Sequence, residues 1–193
     1  MLLFDQAAHR YTFNGVTVPN VTSVLDATLD QFSHVLADRL EYARQLGTAV
    51  HTATALYDLD DLVVESVPLT VLPYLEAWIE FRRATGFKPD TVEERVFNAR
   101  HFYAGTLDRT GELFGVGSLV DIKSGALMPS VGPQTAAYFE AKNHRNSAKL
   151  SHRWVVQLND DGTYKMEQLR DKEDFSVFLA ALTLSQWRSK NNV

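Results

Sequence analysis

The chain has 193 residues, 45% of them hydrophobic and 22% charged, with a net charge of -5 and no cysteine. That length supports one domain with a full core and is marginal for two, and the composition is that of an ordinary soluble globular protein. The lack of cysteine excludes disulfides, thiolate zinc sites, cysteine-ligated iron–sulfur clusters and cysteine nucleophiles, and no apolar run approaches the ~20 residues of a membrane span. The acidic balance runs against nucleic-acid binding, except where a metal site needs the carboxylates and bound cations reverse the local charge.

In chain order, RYTF and VTVP predict a hairpin turned at Asn14-Gly15, and Asn20 or Thr22 is placed to cap a short helix through Val24 and Leu25. Residues 33–57 read as a helix with Ser33 as N-cap and Val35, Leu40, Ala43, Leu46, Val50, Ala53 and Leu56 at helical spacing. After the acidic break DLDDL, a second stripe (Val71, Tyr74, Leu75, Trp78, Phe81) runs to a stop at Gly86. The period then changes from helical to alternating. TVEERVF, YAGTLDR and FGVGSLVDIK predict three strands, with turns at Asn98–Phe102 and Thr110–Leu113. A helix at about Pro133–Asn146, a hairpin of SHRWVVQLN and GTYKMEQLR, and a last helix carrying Phe175, Phe178, Leu179, Leu182 and Gln186 complete the chain. The order implies a mixed α/β fold around a small sheet rather than a doubly wound repeat.

Chemistry-bearing residues gather in the strand region. In VDIKSG, Asp121 and Lys123 share one face of a strand and Ile122 points to the other. Alone this is a common surface pair. Asp108 lies one strand earlier and, in the right register, would stand beside Asp121; two such carboxylates repel unless one is protonated or a cation lies between them. Oxygen ligands of this kind suit Mg²⁺ or Mn²⁺, with Lys123 next to the metal. The bland alternative is a hairpin with solvated aspartates. Of Glu93 and Glu94 only one can face such a site. His51, one turn after Gly47 on a helix, offers an imidazole, although a lone helical histidine is more often structural; Gly47 suggests a close approach of another segment. Gly105 suggests a close backbone approach or a bulge. Gln134 and Tyr138 are again one turn apart. The stretch AKNHRNSAKLSHR holds Lys142, Arg145, Lys149 and Arg153 without an acid, and is either a phosphate track or a solvated basic face. No phosphate-loop or serine-hydrolase motif is present.

The order of these pieces is more specific than any one of them. GTAVH, VEERVF, YAGTLDR, VDIKSG and QTAAY, from Gly47 to Tyr138, resemble the RecB-like branch of the PD-(D/E)XK nuclease superfamily. The flanks HRYTFNGVTVPNVTSVL and LNDDGTYKMEQLRDKEDFSVFLAALTLSQWR are similar to those of its phage-encoded exonucleases. The resemblance implies a restriction-endonuclease-like core at 89–158, preceded by a hairpin and helices at 1–88 and closed by a strand and helix at 159–193, all one domain. It implies that Asp108, Asp121 and the main-chain carbonyl of Ile122 hold Mg²⁺ or Mn²⁺, with His51 as a further ligand and Glu93, rather than Glu94, as the first-strand acid. Lys123 would act on the attacking water, and Gln134 and Tyr138 would contact the DNA backbone or hold the site in shape. The third-strand acid is Asp rather than Glu, and the cysteine cluster of several relatives is absent. The function implied is metal-dependent hydrolysis of DNA, exonuclease favoured over endonuclease, in phage-type recombination or processing. Implied too are a single-strand annealing or other recombination protein as partner, and a bacterial or phage-infected host cytoplasm. The rival is a catalytically silent DNA-binding or scaffold module of the same fold.

Overall fold

Asn14 and Gly15 both adopt positive φ, +49° and +83°, which is the backbone that a tight antiparallel turn demands. They join β2 (Arg10–Phe13) to β3 (Val16–Val18), and a strand that the sequence pattern did not announce, β1 (Leu2–Asp5), adds to the outer side of β2. A computed structural model provides this and all following geometry; it describes residues 1–6, 8–29, 35–145 and 150–192, with Arg145 described by its backbone only. Asn20 caps α1 (Val21–Leu29), its Oδ1 accepting the Thr22 backbone N–H at 3.1 Å. The next helix, α2, spans Ala37–Asp58. It starts later than the expected residue 33, since residues 35 and 36 precede its first turn; the expected cap Ser33 lies outside the described residues. A 3₁₀ turn at Val64–Ser66 leads to α3 (Leu72–Thr85), which Gly86 ends in the left-handed conformation, φ +70°.

Three strands follow, β4 (Lys88–Asn98), β5 (Tyr103–Leu113) and β6 (Val116–Lys123). Asn98 builds the first turn by accepting the N–H groups of Arg100 and His101, each at 3.0 Å. The second turn is displaced from the expected Thr110–Leu113 to Phe114-Gly115, both at positive φ. Gly111, within that expected turn, lies inside β5, where a Cβ would collide with the Lys88 carbonyl and the Phe87 ring. The chain continues through α4 (Val131–Arg145), β7 (His152–Leu158), β8 (Tyr164–Gln168) and α5 (Asp174–Asn191).

The larger sheet has the order β4-β5-β6-β7-β8, antiparallel throughout except for β6 and β7, which run parallel across the α4 crossover. One face is covered by Val21 and Leu25 of α1, Ala137 and Tyr138 of α4, and Phe178 and Leu182 of α5, packed on Val96, Leu107 and Leu119. The other is covered by Val50 and Ala53 of α2 and Trp78 and Phe81 of α3, packed on Val120, Ile122 and Val156. This is the mixed α/β arrangement the element order implied, a small sheet flanked by helices. The N-terminal sheet packs Tyr11 and Val18 on Phe97 and Ala104, at the far end of the β4–β5 pair. None of the described helices is long and apolar enough to cross a membrane.

The sheet forks. β5 pairs with β6 only from Leu113 opposite Val116 to Arg109 opposite Val120. Beyond that point the other half of β5 stays with β4, while Asp121, Ile122 and Lys123 stay with Val155, Val156 and Gln157 of β7. Side-chain alternation breaks at the same place. Leu107 packs under α4, whereas Leu113 packs under α3, although six residues separate them and strict alternation would keep both on one face.

Candidate metal centre

Asp108 sits in the crotch of the fork. Its Oδ2 accepts the Ile122 backbone N–H at 2.7 Å, doing for β6 what a strand carbonyl would have done had β5 stayed alongside. Its Oδ1 turns toward α2 and lies 3.5 Å from His51 Nδ1. Glu93 arrives from β4. It has φ +49°, a sparsely populated conformation for a side chain of this size, and its Oε1 lies 3.6 Å from the same His51 nitrogen. One ligand atom from each of His51, Glu93 and Asp108 falls within 4.8 Å of the others. Glu94 turns the other way, to the face under α4, and pairs with Lys142 at 2.5 Å.

Asp121, on β6, stands outside that three-residue cluster but close enough to feel the charges of Asp108 and His51. It is 1% exposed, and Oδ2 stands 2.7 Å from Lys123 Nζ. Oδ1 has no hydrogen-bond partner among the described residues. Burial, against the pull of Lys123 and with the charge of Asp108 adding to it, pushes the Asp121 carboxyl up to about 6. Burial pulls the Lys123 ammonium down, but Asp121 and Asp108 outweigh it and the group stays above its ordinary value. The same contest raises His51: burial opposes its charge, and Asp108 and Glu93 overcome it. Glu93 is held below the usual carboxylate range, because His51 and Arg109 outweigh its burial.

Tyr138 lies beneath these groups. A Cβ at Gly105 would collide with its ring, so the close approach suggested by that glycine is made by a side chain of α4. Gln134 Nε2 donates to the Tyr138 hydroxyl at 3.2 Å. Burial, with Asp121 and Asp108 nearby, raises the phenol well above its ordinary value and keeps it neutral.

Other sequence expectations fall elsewhere. Gly47 has no tight neighbour: a Cβ there would stand 3.7 Å from Ser124 Oγ, an ordinary contact. Lys142, expected in a basic track, is tied to Glu94. Arg153 is buried and bonds Gly132 O, Thr135 Oγ1, Asp171 O and Asp174 Oδ2. The Arg145 side chain and Lys149 lie outside the described residues.

The sequence reading missed the layer that supports the site. Arg109 is fully buried and donates to Asp58 Oδ2 at 2.5 Å, Thr54 Oγ1 at 3.2 Å, Glu93 Oε1 at 3.0 Å and the Asp108 carbonyl at 2.8 Å. Asp58 also collects Trp78 Nε1 and Arg82 Nη1. The available signal was an arginine in the middle of a strand rather than at its end; Asp58 was hidden in what read as an acidic loop.

No protein-family model matches the chain, and no curated protein matches it. Among solved structures, an alkaline exonuclease (LHK-Exo) from Laribacter hongkongensis aligns over 90% of this chain and 91% of that one, with a TM-score of 0.41 and 16% identity. The same exonuclease in complex with dAMP aligns over 90% and 89%, with a TM-score of 0.41 and 12% identity. SSO0001 aligns over 84% and 82%, with a TM-score of 0.38 and 12% identity. A likeness at these TM-scores is too distant to bear on chemistry, which rests on the side chains.

Proposed function

We propose that the protein is a divalent-metal-dependent nuclease of the PD-(D/E)XK superfamily, RecB-like branch, that hydrolyses DNA phosphodiesters as an exonuclease. The observation that carries this reading is a juxtaposition: His51, Glu93 and Asp108 bring ligand atoms within 4.8 Å of one another, and Asp121, 1% exposed with one oxygen unpartnered among the described residues, lies near enough to feel the charges of Asp108 and His51. Desolvated acids gathered without enough donors have no structural benefit. A hard dication with oxygen and imidazole ligands removes the conflict, and the donor set suits Mg²⁺ or Mn²⁺.

Asp108 and Asp121 would hold the ion, with His51 and Glu93 completing the set. The Ile122 carbonyl is a further donor, since in a strand a residue's N–H and C=O point to the same side, and its N–H points into the fork at Asp108. When bound, the ion neutralises charge on the scissile phosphate and lowers the pKa of water. Lys123, anchored on Asp121, would orient the attacking water and stabilise phosphate charge. Asp108 and Glu93 hold His51 in place, and the neutral Tyr138 phenol keeps a proton to donate toward phosphate or Asp121. We read the whole chain as one nuclease domain, because the N-terminal sheet shares a core cluster with β4 and β5.

The test uses end-labelled linear DNA and covalently closed circles, single- and double-stranded, with Mg²⁺, Mn²⁺ or EDTA. Linear DNA should be degraded with either ion, circles should survive, and EDTA should stop the reaction. Rapid nicking of circles would replace exonuclease by endonuclease. No cleavage of any substrate and no ion bound would leave the silent-module reading.

A further inference from the structure

We propose that Arg109 is a positioning residue that sets the cation affinity of the site through Glu93; the proposal rests on the metal-centre reading above. Arg109 touches two of the three clustered ligand residues at once. Nη1 holds the Glu93 carboxylate at 3.0 Å and the Asp108 carbonyl at 2.8 Å. Its other nitrogens are fixed from the α2 side, Nε by Asp58 Oδ2 at 2.5 Å and Nη2 by Thr54 Oγ1 at 3.2 Å. The guanidinium lies 5.6 Å from the Trp78 ring centroid, and the Arg109 side chain is 0% exposed.

Two features make this more than a buried ion pair. Glu93 occupies a strained backbone conformation, φ +49°, which persists only where neighbours over-determine it. Arg109 grips its side chain at 3.0 Å, with His51 Nδ1 at 3.6 Å on the same oxygen, and the rigid fork of an arginine can span Asp58 and Glu93 together where a lysine cannot. The Asp58 charge also matters. It balances Arg109, so the guanidinium orients Glu93 without opposing a nearby cation in full. Loss of the Asp58 charge loosens the anchor on the α2 side, so that Arg109, still paired with Glu93, no longer fixes where that carboxylate stands.

The experiment is a calorimetric Mn²⁺ titration of the full chain as wild type, Asp58→Asn, Glu93→Gln and the double variant, with circular dichroism as a check on folding. Asp58→Asn is expected to weaken Mn²⁺ binding ~10-fold or more, the effect of disturbing a group that orients a ligand. In the Glu93→Gln background the same change should cost less than ~2-fold, because the route through Glu93 is already gone. An equal factor in both backgrounds, or no loss in the first, would overturn the proposal. Arg109→Lys keeps the charge without the fork and should bind as weakly as Asp58→Asn; wild-type affinity there would also overturn it. If neither variant folds, Thr54→Val decides: it removes one Arg109 acceptor at nearly constant volume, and a loss confined to the Glu93 background is required. A wild-type protein that binds no Mn²⁺ sinks the metal-centre reading itself, an outcome distinct from binding that ignores Asp58.

Discussion

Asp58 and Asp121 are two aspartates buried to the same degree, with side chains 0% and 1% exposed. Asp58 is saturated: Trp78 Nε1 donates to it at 3.0 Å, Arg82 at 2.6 Å and Arg109 at 2.5 Å. Asp121 has Lys123 at 2.7 Å and an oxygen with no partner among the described residues. Burial alone therefore says little about role. A saturated buried carboxylate is part of the scaffold, and one left short of donors points to a ligand that supplies the missing charge.

The sharpest way to break this comparison is to remove groups on the open side and follow chemistry. Asp121→Asn and Lys123→Ala should each lower single-turnover cleavage by ~10²–10⁴. Asp121→Asn should also lose divalent-ion affinity in calorimetry, whereas Lys123→Ala should keep it. DNA binding should survive in both. A Lys123→Ala protein that cleaves at the wild-type rate would remove Lys123 from the mechanism even if the chain is a nuclease.

The fold was more legible than the fork. Helix stripes such as Val71 to Phe81, and the hairpin signals at Asn14-Gly15 and Gly162, are local, and they ended where periodicity and turn chemistry placed them. The turn expected at Thr110–Leu113 fell later because Gly111 belongs inside β5, where the contact that requires a glycine comes from Phe87 and Lys88, two dozen residues away. β1 was missed because LLFD gains its strand character from pairing with β2. Motif order brought out His51, Glu93, Asp108 and Asp121, yet no periodicity reports where two strands part, and the fork is what lets Asp108 reach Ile122. Arg109 and Asp58 were invisible for the same reason: their meaning lies in a contact across 51 positions.

Stability gives the second test, and the two aspartates should respond with opposite sign. Asp58→Ala takes from Arg82 and Arg109 the carboxylate they share, leaving Arg109 with Glu93 alone, and should cost ~3–5 kcal/mol. Asp121→Asn should stabilise the metal-free protein. The Asp121 carboxyl sits at about 6 in the folded state, raised by burial, against an unfolded value of ~3.9. The folded state thus holds this proton more tightly than the unfolded one. Ionisation costs nothing below the unfolded value, builds up across the window to about 6, and is complete above it. The advantage of Asp121→Asn should be absent near pH 3 and reach a few kcal/mol by pH 8, on the order of 2–3. Denaturant melts in EDTA at both pH values would check it. Saturating Mn²⁺, at ~1,000 times its Kd, should then stabilise wild type by ~4.1 kcal/mol and reverse the order.

The smallest effect separates two glycines that look alike in sequence. Gly105 is required by the Tyr138 ring, so Gly105→Ala must push that ring off its seat and should cost ~1–3 kcal/mol. Gly47 lies inside α2, one turn before His51, with only Ser124 Oγ at 3.7 Å from where its Cβ would be. Alanine there meets ordinary contact and gains helix propensity, so Gly47→Ala should raise stability by up to ~1 kcal/mol in the free protein. The comparison sharpens if cleavage is measured alongside. A protein more stable but slower on DNA would mean that the space over Gly47, beside His51 and Ser124, is filled by nucleic acid during turnover. A protein more stable and equally fast would make Gly47 an accident of helix α2, and would confine the steric demands of the site to the Gly105–Tyr138 contact under the fork.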